Sequence, residues 1–221
     1  MPDDVPDLAA LRRTAAVFNN FTNVDTSWLR LLKEVEPALD LARADHRELL
    51  LRWLNSWGCR IRYPREGEPA PFDTGAAQWW QRWHSALPQV SLARLSDDAI
   101  DSVGAAYAAL AALEVSIGRT KRTLGPTAAA KAMYALRPTA VMPWDAAIAE
   151  RLHGVRDGAA FAAHQRLGRR WATDVIAESG GTEDAVPALV GRPTVSLAKL
   201  LDEYLYVTIT MSGQAGQSPE G

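Results

Sequence analysis

The chain has a single cysteine in 221 residues. Cys59 alone excludes an intrachain disulfide, a cysteine-based zinc site and an iron–sulfur cluster held by cysteines of one chain; it reads as a small core or turn residue. Long apolar runs are missing as well. The longest, Val103 to Leu113, is too short to span a bilayer, and the opening Met-Pro-Asp-Asp lacks a signal-peptide pattern. A soluble cytoplasmic protein with no membrane partner is expected. No P-loop, dinucleotide fingerprint or Gly-x-Ser-x-Gly elbow occurs. His46, His84, His153 and His164 show none of the i, i+3 or i+4 spacings of a helical metal site, so each reads as a surface or core residue and neither metal nor other cofactor is expected.

β-Branched runs are scarce too, whereas Ala and Leu dominate and Gly and Pro cluster between periodic segments. That composition predicts an all-α fold. With 48% apolar residues a substantial core can form. The expected architecture is a compact multi-helix domain over 1–211, with 1–95 and 96–211 as candidate lobes and 212–221 as a disordered tail. Periodicity predicts helices from Pro6 to about Phe18 and from Trp28 to about Ala44, with Pro37 as a boundary or kink. Asp45 is expected to cap the next helix, which carries Leu50, Trp53, Leu54 and Trp57 on one face and stops at Gly58. Residues 63–75 read as a long loop. Trp79, Trp80, Trp83 and Leu87 form an aromatic stripe of core type. Ser96 is expected to cap a helix with Ile100, Val103, Tyr107, Leu110 and Ile117 on one stripe; further helices follow from Pro126 to Leu136, from Asp145, over about Ala159–Ala177, and through Leu197, Leu200, Leu201, Tyr204 and Thr208.

The net charge of −2 makes no global demand for nucleic acid or membrane, but it is unevenly distributed. Residues 115–173 hold ten Lys or Arg against three acids, a local +7 that leaves −9 on the remainder. Between Glu114 and Asp145 no acid occurs, while Arg119, Lys121, Arg122, Lys131 and Arg137 do. Such a segment suits an anion-attracting face; it equally suits arginines on solvated helix surfaces.

Within that segment lies Thr123-Leu-Gly-Pro-Thr-Ala-Ala-Ala-Lys131, then Pro143-Trp-Asp145-Ala-Ala-Ile-Ala. The order of a glycine turn, Thr-Ala opening a helix, and an aspartate about eighteen residues on resembles the centre of the helix-hairpin-helix DNA glycosylase superfamily, over roughly residues 115–155. The resemblance implies a helix-hairpin-helix glycosylase-like centre, a phosphate backbone facing Lys121, Arg122, Gly125, Thr127 and Lys131, Asp145 as the acid of base excision, and Tyr134 and Trp144 in the wall of a base pocket. Backbone N–H groups at a turn and helix start bind phosphate without reading sequence, and a carboxylate just beyond can stabilise positive charge developing on a sugar or position a water. The lyase-active members carry a lysine where this chain has Pro126, so amine-based lyase chemistry is not implied; Arg122 and Leu124 stand where the family's turn has glycines. Asp145 is also an ordinary N-cap.

Three readings follow. The first is a DNA-interacting protein that binds duplex DNA, either a monofunctional base-excision glycosylase-like enzyme or its inactive relative. The second is a non-enzymatic helical module that meets a protein partner through the Trp-rich segment 53–83. The third is an enzyme acting on a small anionic substrate, which requires a ligand-sized pocket near Lys131 and Asp145 rather than an open basic groove.

Overall fold

The computed structural model describes residues 5–20, 22–117 and 120–212; Arg119 and most of the expected tail lie outside them. The described residues form an all-α domain in which the only β pairing is an isolated bridge between Glu114 and Thr123. Helix α1 spans Leu8–Phe18, α2 Thr22–Glu34, α3 Ala44–Ser56, α4 Pro71–Trp83, α5 Asp97–Ala111, α6 Pro126–Leu136, α7 Ala146–His153, α8 Gly158–Ser179, α9 Val186–Leu189 and α10 Leu197–Leu205, continuing as a π-helix over Tyr206–Met211.

Helix starts follow side-chain chemistry. Asp7, Ser96, Asp145, Asp157 and Ser196 each accept a hydrogen bond from a backbone N–H three residues on, satisfying donors that the first helical turn leaves open. Asp45 does not cap: the cap position of α3 is Arg43, and Asp45 lies in the first turn, bound to the Arg43 guanidinium at 2.6 Å. The helix expected from Trp28 to about Ala44 instead starts six residues earlier, at Thr22, and ends at Glu34. Pro37 has no N–H and disfavours helical geometry at Glu36, so the helix cannot continue. The chain up to α3 is held by side chains: His46 Nδ1 accepts from the Asp40 N–H, and the buried Arg47 donates to the carbonyls of Leu41 and Ala42 while gripping Asp73 of α4.

Helices α5, α6 and α8 build the centre. Tyr107 of α5 stacks on Phe161 of α8 with ring centroids 4.0 Å apart, and Trp144 meets both rings edge-on. Where α5 crosses α8, Gly104 and Gly158 face one another; a β-carbon on either would lie 2.6 Å from the other's carbonyl oxygen. Around this centre α1 packs on α10 and α8, and α3 on α2, α4 and α6. Residues of both candidate halves, from Leu11 to Leu205, contribute to one apolar core. The aromatic stripe belongs to it: Trp79 is buried and donates its indole N–H to the Ala106 carbonyl, while Trp80 and Trp83 are half-buried against it. Among the described residues no helix is long and apolar enough to cross a membrane.

The connection from α5 to α6 is not a short turn. Residues 112–117 and 120–125 lie side by side as a ribbon, pinned by Val115 N–H to Arg122 O, Leu124 N–H to Leu113 O and Gly125 N–H to Ala111 O. Ile117 therefore lies beyond α5 rather than on its stripe. Gly125 ends the ribbon at φ +82°, a conformation that needs glycine, and Pro126 takes the first position of α6.

Candidate functional site

A cavity of about 400 Å³ opens where α1, α3, α6, α7 and α10 converge, within the range of ligand sites. Helical spacing aims the side chains. On α6, Lys131 and Tyr134 share a face at i, i+3; on α3, Trp53 and its C-terminal neighbour Trp57 are at i, i+4; on α10, Lys199 and Asp202 repeat at i, i+3 and reach Tyr206 in the next turn. Pro143, Trp144 and Asp145 close one side and Phe18 another. The walls are thus aromatic, with two ammonium groups and two carboxylates set among them.

Asp145 is a cap and a cavity residue at once. Its Oδ1 accepts from the Ile148 N–H at 2.8 Å, and its Oδ2 accepts from the Thr210 hydroxyl at 2.7 Å. The second bond ties α7 to the π-helical turn. Each carboxylate oxygen retains a lone pair for a further donor.

Lys131 and Lys199 both lie over the Trp57 ring, at 4.9 and 5.6 Å from its centroid. Their partners differ. Lys199 is salt-bridged to Asp202 at 2.6 Å; burial works against its charge, but Asp202 and Glu203 outweigh it and hold the ammonium above its ordinary range. Lys131 donates to the Trp57 carbonyl at 3.1 Å, an acceptor left open at the end of α3. No carboxylate lies in ion-pair reach of Lys131 among the described residues, and burial lowers its pKa. Trp53 lines the same cavity with its indole N–H buried and without a partner.

Beneath α10, Arg192 and Glu203 form a buried two-pronged ion pair, 3.1 and 2.6 Å, with 3% and 0% of their side chains exposed. Burial raises the Glu203 carboxyl, and Lys199 and Arg192 oppose that shift. The pair fixes α10 and hence the placement of Lys199 and Asp202.

Four of the residues expected from sequence meet here: Lys131, Tyr134, Trp144 and Asp145 all line the cavity. The others do not. Lys121 is exposed on the ribbon. Arg122 turns to the chain leaving α3, donating to the carbonyls of Cys59 and Arg60 at 3.0 and 2.7 Å. Gly125 and Thr127 are half-buried at the start of α6. Cys59 sits half-buried near Lys131 and Arg122, its thiol raised by burial.

Sequence reasoning overlooked the supports behind Trp144. Gln165 of α8 clamps the Met142 backbone, accepting from its N–H at 2.8 Å and donating to its carbonyl at 2.9 Å. His164 Nε2 reaches the Pro143 carbonyl at 3.1 Å, and its Nδ1 lies 3.3 Å from His153 Nε2. Both histidines flank the Trp144 ring. Burial lowers His164 to about 3, and His153 adds to the shift. A spacing of eleven residues gives no helical signal; the turn between α7 and α8 brings the two rings together. No group of three or more His, Cys, Asp or Glu poised for a metal occurs among the described residues.

No family model matches the chain, and neither a curated protein nor a solved structure matches it.

Proposed function

We propose that the cavity receives a planar base-sized ring, and that the chain is a DNA-interacting protein of the base-excision glycosylase type or a binding-only relative. The observation that carries this reading is the convergence of Lys131, Tyr134, Trp144 and Asp145 on one aromatic cavity, from the same stretch of sequence that resembles the glycosylase centre. An extruded base needs aromatic or apolar walls and donors or acceptors at its edges, and the cavity has both. Asp145 is the acid: a carboxylate held at one oxygen by Ile148 and at the other by Thr210 keeps a fixed position from which to stabilise a cationic sugar or orient water. Lys121, Gly125 and Thr127 are the backbone contacts in this reading; Arg122, which braces the exit of α3, serves by holding the ribbon. Before α6 the chain pairs with itself, Val115 with Arg122 and Leu113 with Leu124, where the resemblance implies a tight turn.

The test is binding to duplex DNA, intact and with an abasic-site analogue, at two salt concentrations, followed by base excision with wild type and Asp145→Asn. Asparagine caps helices as well as aspartate, so the variant keeps α7 and removes only the charge. Salt-sensitive binding that favours the lesion, with excision lost in Asp145→Asn, supports the proposal. Binding that ignores salt, or excision that survives the substitution, refutes it.

A second reading, an enzyme or binder for a small free anion, is favoured by the ligand-sized cavity and by Lys131 standing in it without a carboxylate. Ligand binding in the absence of any DNA affinity selects it. The protein-partner reading rests on the exposed parts of Trp57, Trp80 and Trp83.

A further inference from the structure

Ring-shaped ligands differ at their edges, and the cavity's edge chemistry is one-sided at Lys131. An ammonium group has three donors and no acceptor. Lys131 uses one on the Trp57 carbonyl. Trp53, 5% exposed, brings an indole N–H that nothing accepts from. The second ammonium, Lys199, is neutralised by Asp202, and the buried Arg192 is neutralised by Glu203. Around Lys131 and Trp53 the groups left wanting a partner are donors, whereas Asp145 already accepts one hydrogen bond on each oxygen, from Ile148 and Thr210. A buried donor without an acceptor loses its hydration and gains nothing in return, so the ring that fits best supplies acceptors there. An amino group opposite Lys131 would set donor against donor.

We infer that the cavity selects rings carrying oxo acceptors over the matching rings carrying amino groups, with Lys131 as the specificity-determining residue. This rests on the proposal that the cavity receives a base-sized ring, and it names the class of ring. Uracil-type and hypoxanthine-type rings belong to the favoured class; cytosine and adenine, which differ from them chiefly by an amino group in place of the oxo group, belong to the rejected one. The oxo oxygen accepts from Lys131 Nζ, and the ring stacks among Trp53, Trp57 and Trp144, whose faces tolerate any base. No covalent step is involved.

The experiment titrates the full chain with free uracil, hypoxanthine, cytosine and adenine, following tryptophan fluorescence. The same comparison is made with duplexes that carry a single bulged uridine, inosine, cytidine or adenosine, with an unmodified duplex and an abasic-analogue duplex alongside. In at least one arm the oxo member of each pair is expected to bind about tenfold or more tightly, as a charge-assisted hydrogen bond exchanged for opposed donors requires. Lys131→Met is expected to erase the preference and Lys131→Arg to keep part of it, with thermal unfolding used to confirm that both variants fold. Equal binding within each pair, or tighter binding of the amino rings, overturns the inference in the wild type without reliance on any variant. Oxo preference among free rings with no DNA affinity keeps the inference and removes the DNA reading. Lesion-selective DNA binding with no preference between bulges, or for either class of free ring, removes the inference and leaves the DNA reading standing. Failure of every ring in both arms removes the inference.

Discussion

Thr210 donates its hydroxyl hydrogen to Asp145 Oδ2 at 2.7 Å, joining the last helical turn of the described chain to the aspartate that opens α7. One side chain thereby caps a helix, borders the cavity and anchors the π-helical segment. The bond should be measurable as a coupling. Asp145→Ala removes a cap and is expected to cost about 1 kcal/mol; Thr210→Val removes a hydroxyl and about 1 kcal/mol. Because each deletes the same bond, the double variant should cost less than their sum by roughly 0.5 kcal/mol or more. Urea unfolding of the four proteins gives the number, and additive losses would mean that the bond contributes nothing.

Gly104 and Gly158 permit the α5–α8 crossing on which the Trp144 wall rests. A β-carbon at Gly104 would meet the Gly158 carbonyl oxygen at 2.6 Å, and one at Gly158 would meet that of Gly104 at the same distance. The obstacle is backbone, so it cannot swing aside. Gly104→Ala is expected to destabilise by about 1–3 kcal/mol, although alanine is the better helix former. Gly181→Ala, where a β-carbon would find only ordinary contacts of 3.6 and 3.8 Å, serves as the control and should change stability by less than ~0.5 kcal/mol. Equal urea midpoints for the two variants would show that the crossing relaxes without cost.

Much of the helical frame was legible because its signals are local. Ser96, Pro126 and Asp145 mark helix starts through their own caps and dihedrals, and α6 and α10 follow their apolar period. The start of α2 was not legible, since Thr22-Asn-Val-Asp25 offers a single apolar residue ahead of Trp28. The ribbon before α6 was hidden for another reason: its hydrogen bonds pair Leu113 with Leu124 and Val115 with Arg122 across a loop. The site divides in the same way. Lys131, Tyr134, Trp144 and Asp145 lie close in sequence and were found together, whereas Phe18, Trp57, Lys199 and Thr210 reach the cavity only through packing of distant helices. Arg122 could not be separated from Lys131 by charge alone; the distinction is that one meets the backbone beyond α3 and the other enters the cavity.

The Arg192–Glu203 pair makes a different prediction. Both side chains are almost wholly buried, so removing one strands a charge. Glu203→Ala is expected to cost about 3–5 kcal/mol. Replacing both partners by apolar side chains, Arg192→Met with Glu203→Leu, should recover most of that loss, because the desolvation of two ions disappears with them. Chemical denaturation distinguishes the cases, and a single variant as stable as wild type would mean that water reaches the site.

Acid should weaken the support behind Trp144. His164 is fully buried and its pKa falls from an ordinary 6.5 to about 3, chiefly by burial, with His153 beside it. Between those values the unfolded chain binds a proton that the folded chain refuses. The stability contribution is therefore complete above about pH 6.5 and is lost as pH falls toward 3, at up to ~1.4 kcal/mol per pH unit for one proton. Burial lowers His153 as well, with the same sign. Glu183, Asp202 and Glu203 act oppositely: burial raises them, so the folded chain keeps protons that the unfolded chain releases, and their contribution declines as pH rises through their range. A bare pH profile of the wild type mixes these signs. His164→Gln isolates the histidine, since glutamine can still donate to the Pro143 carbonyl but cannot titrate. Urea midpoints from pH 7 to pH 4 should show the wild type losing more stability than the variant with each step into acid. Parallel curves would mean that His164 takes up its proton equally in both states, and the buried contact with Pro143 would then open before the fold does.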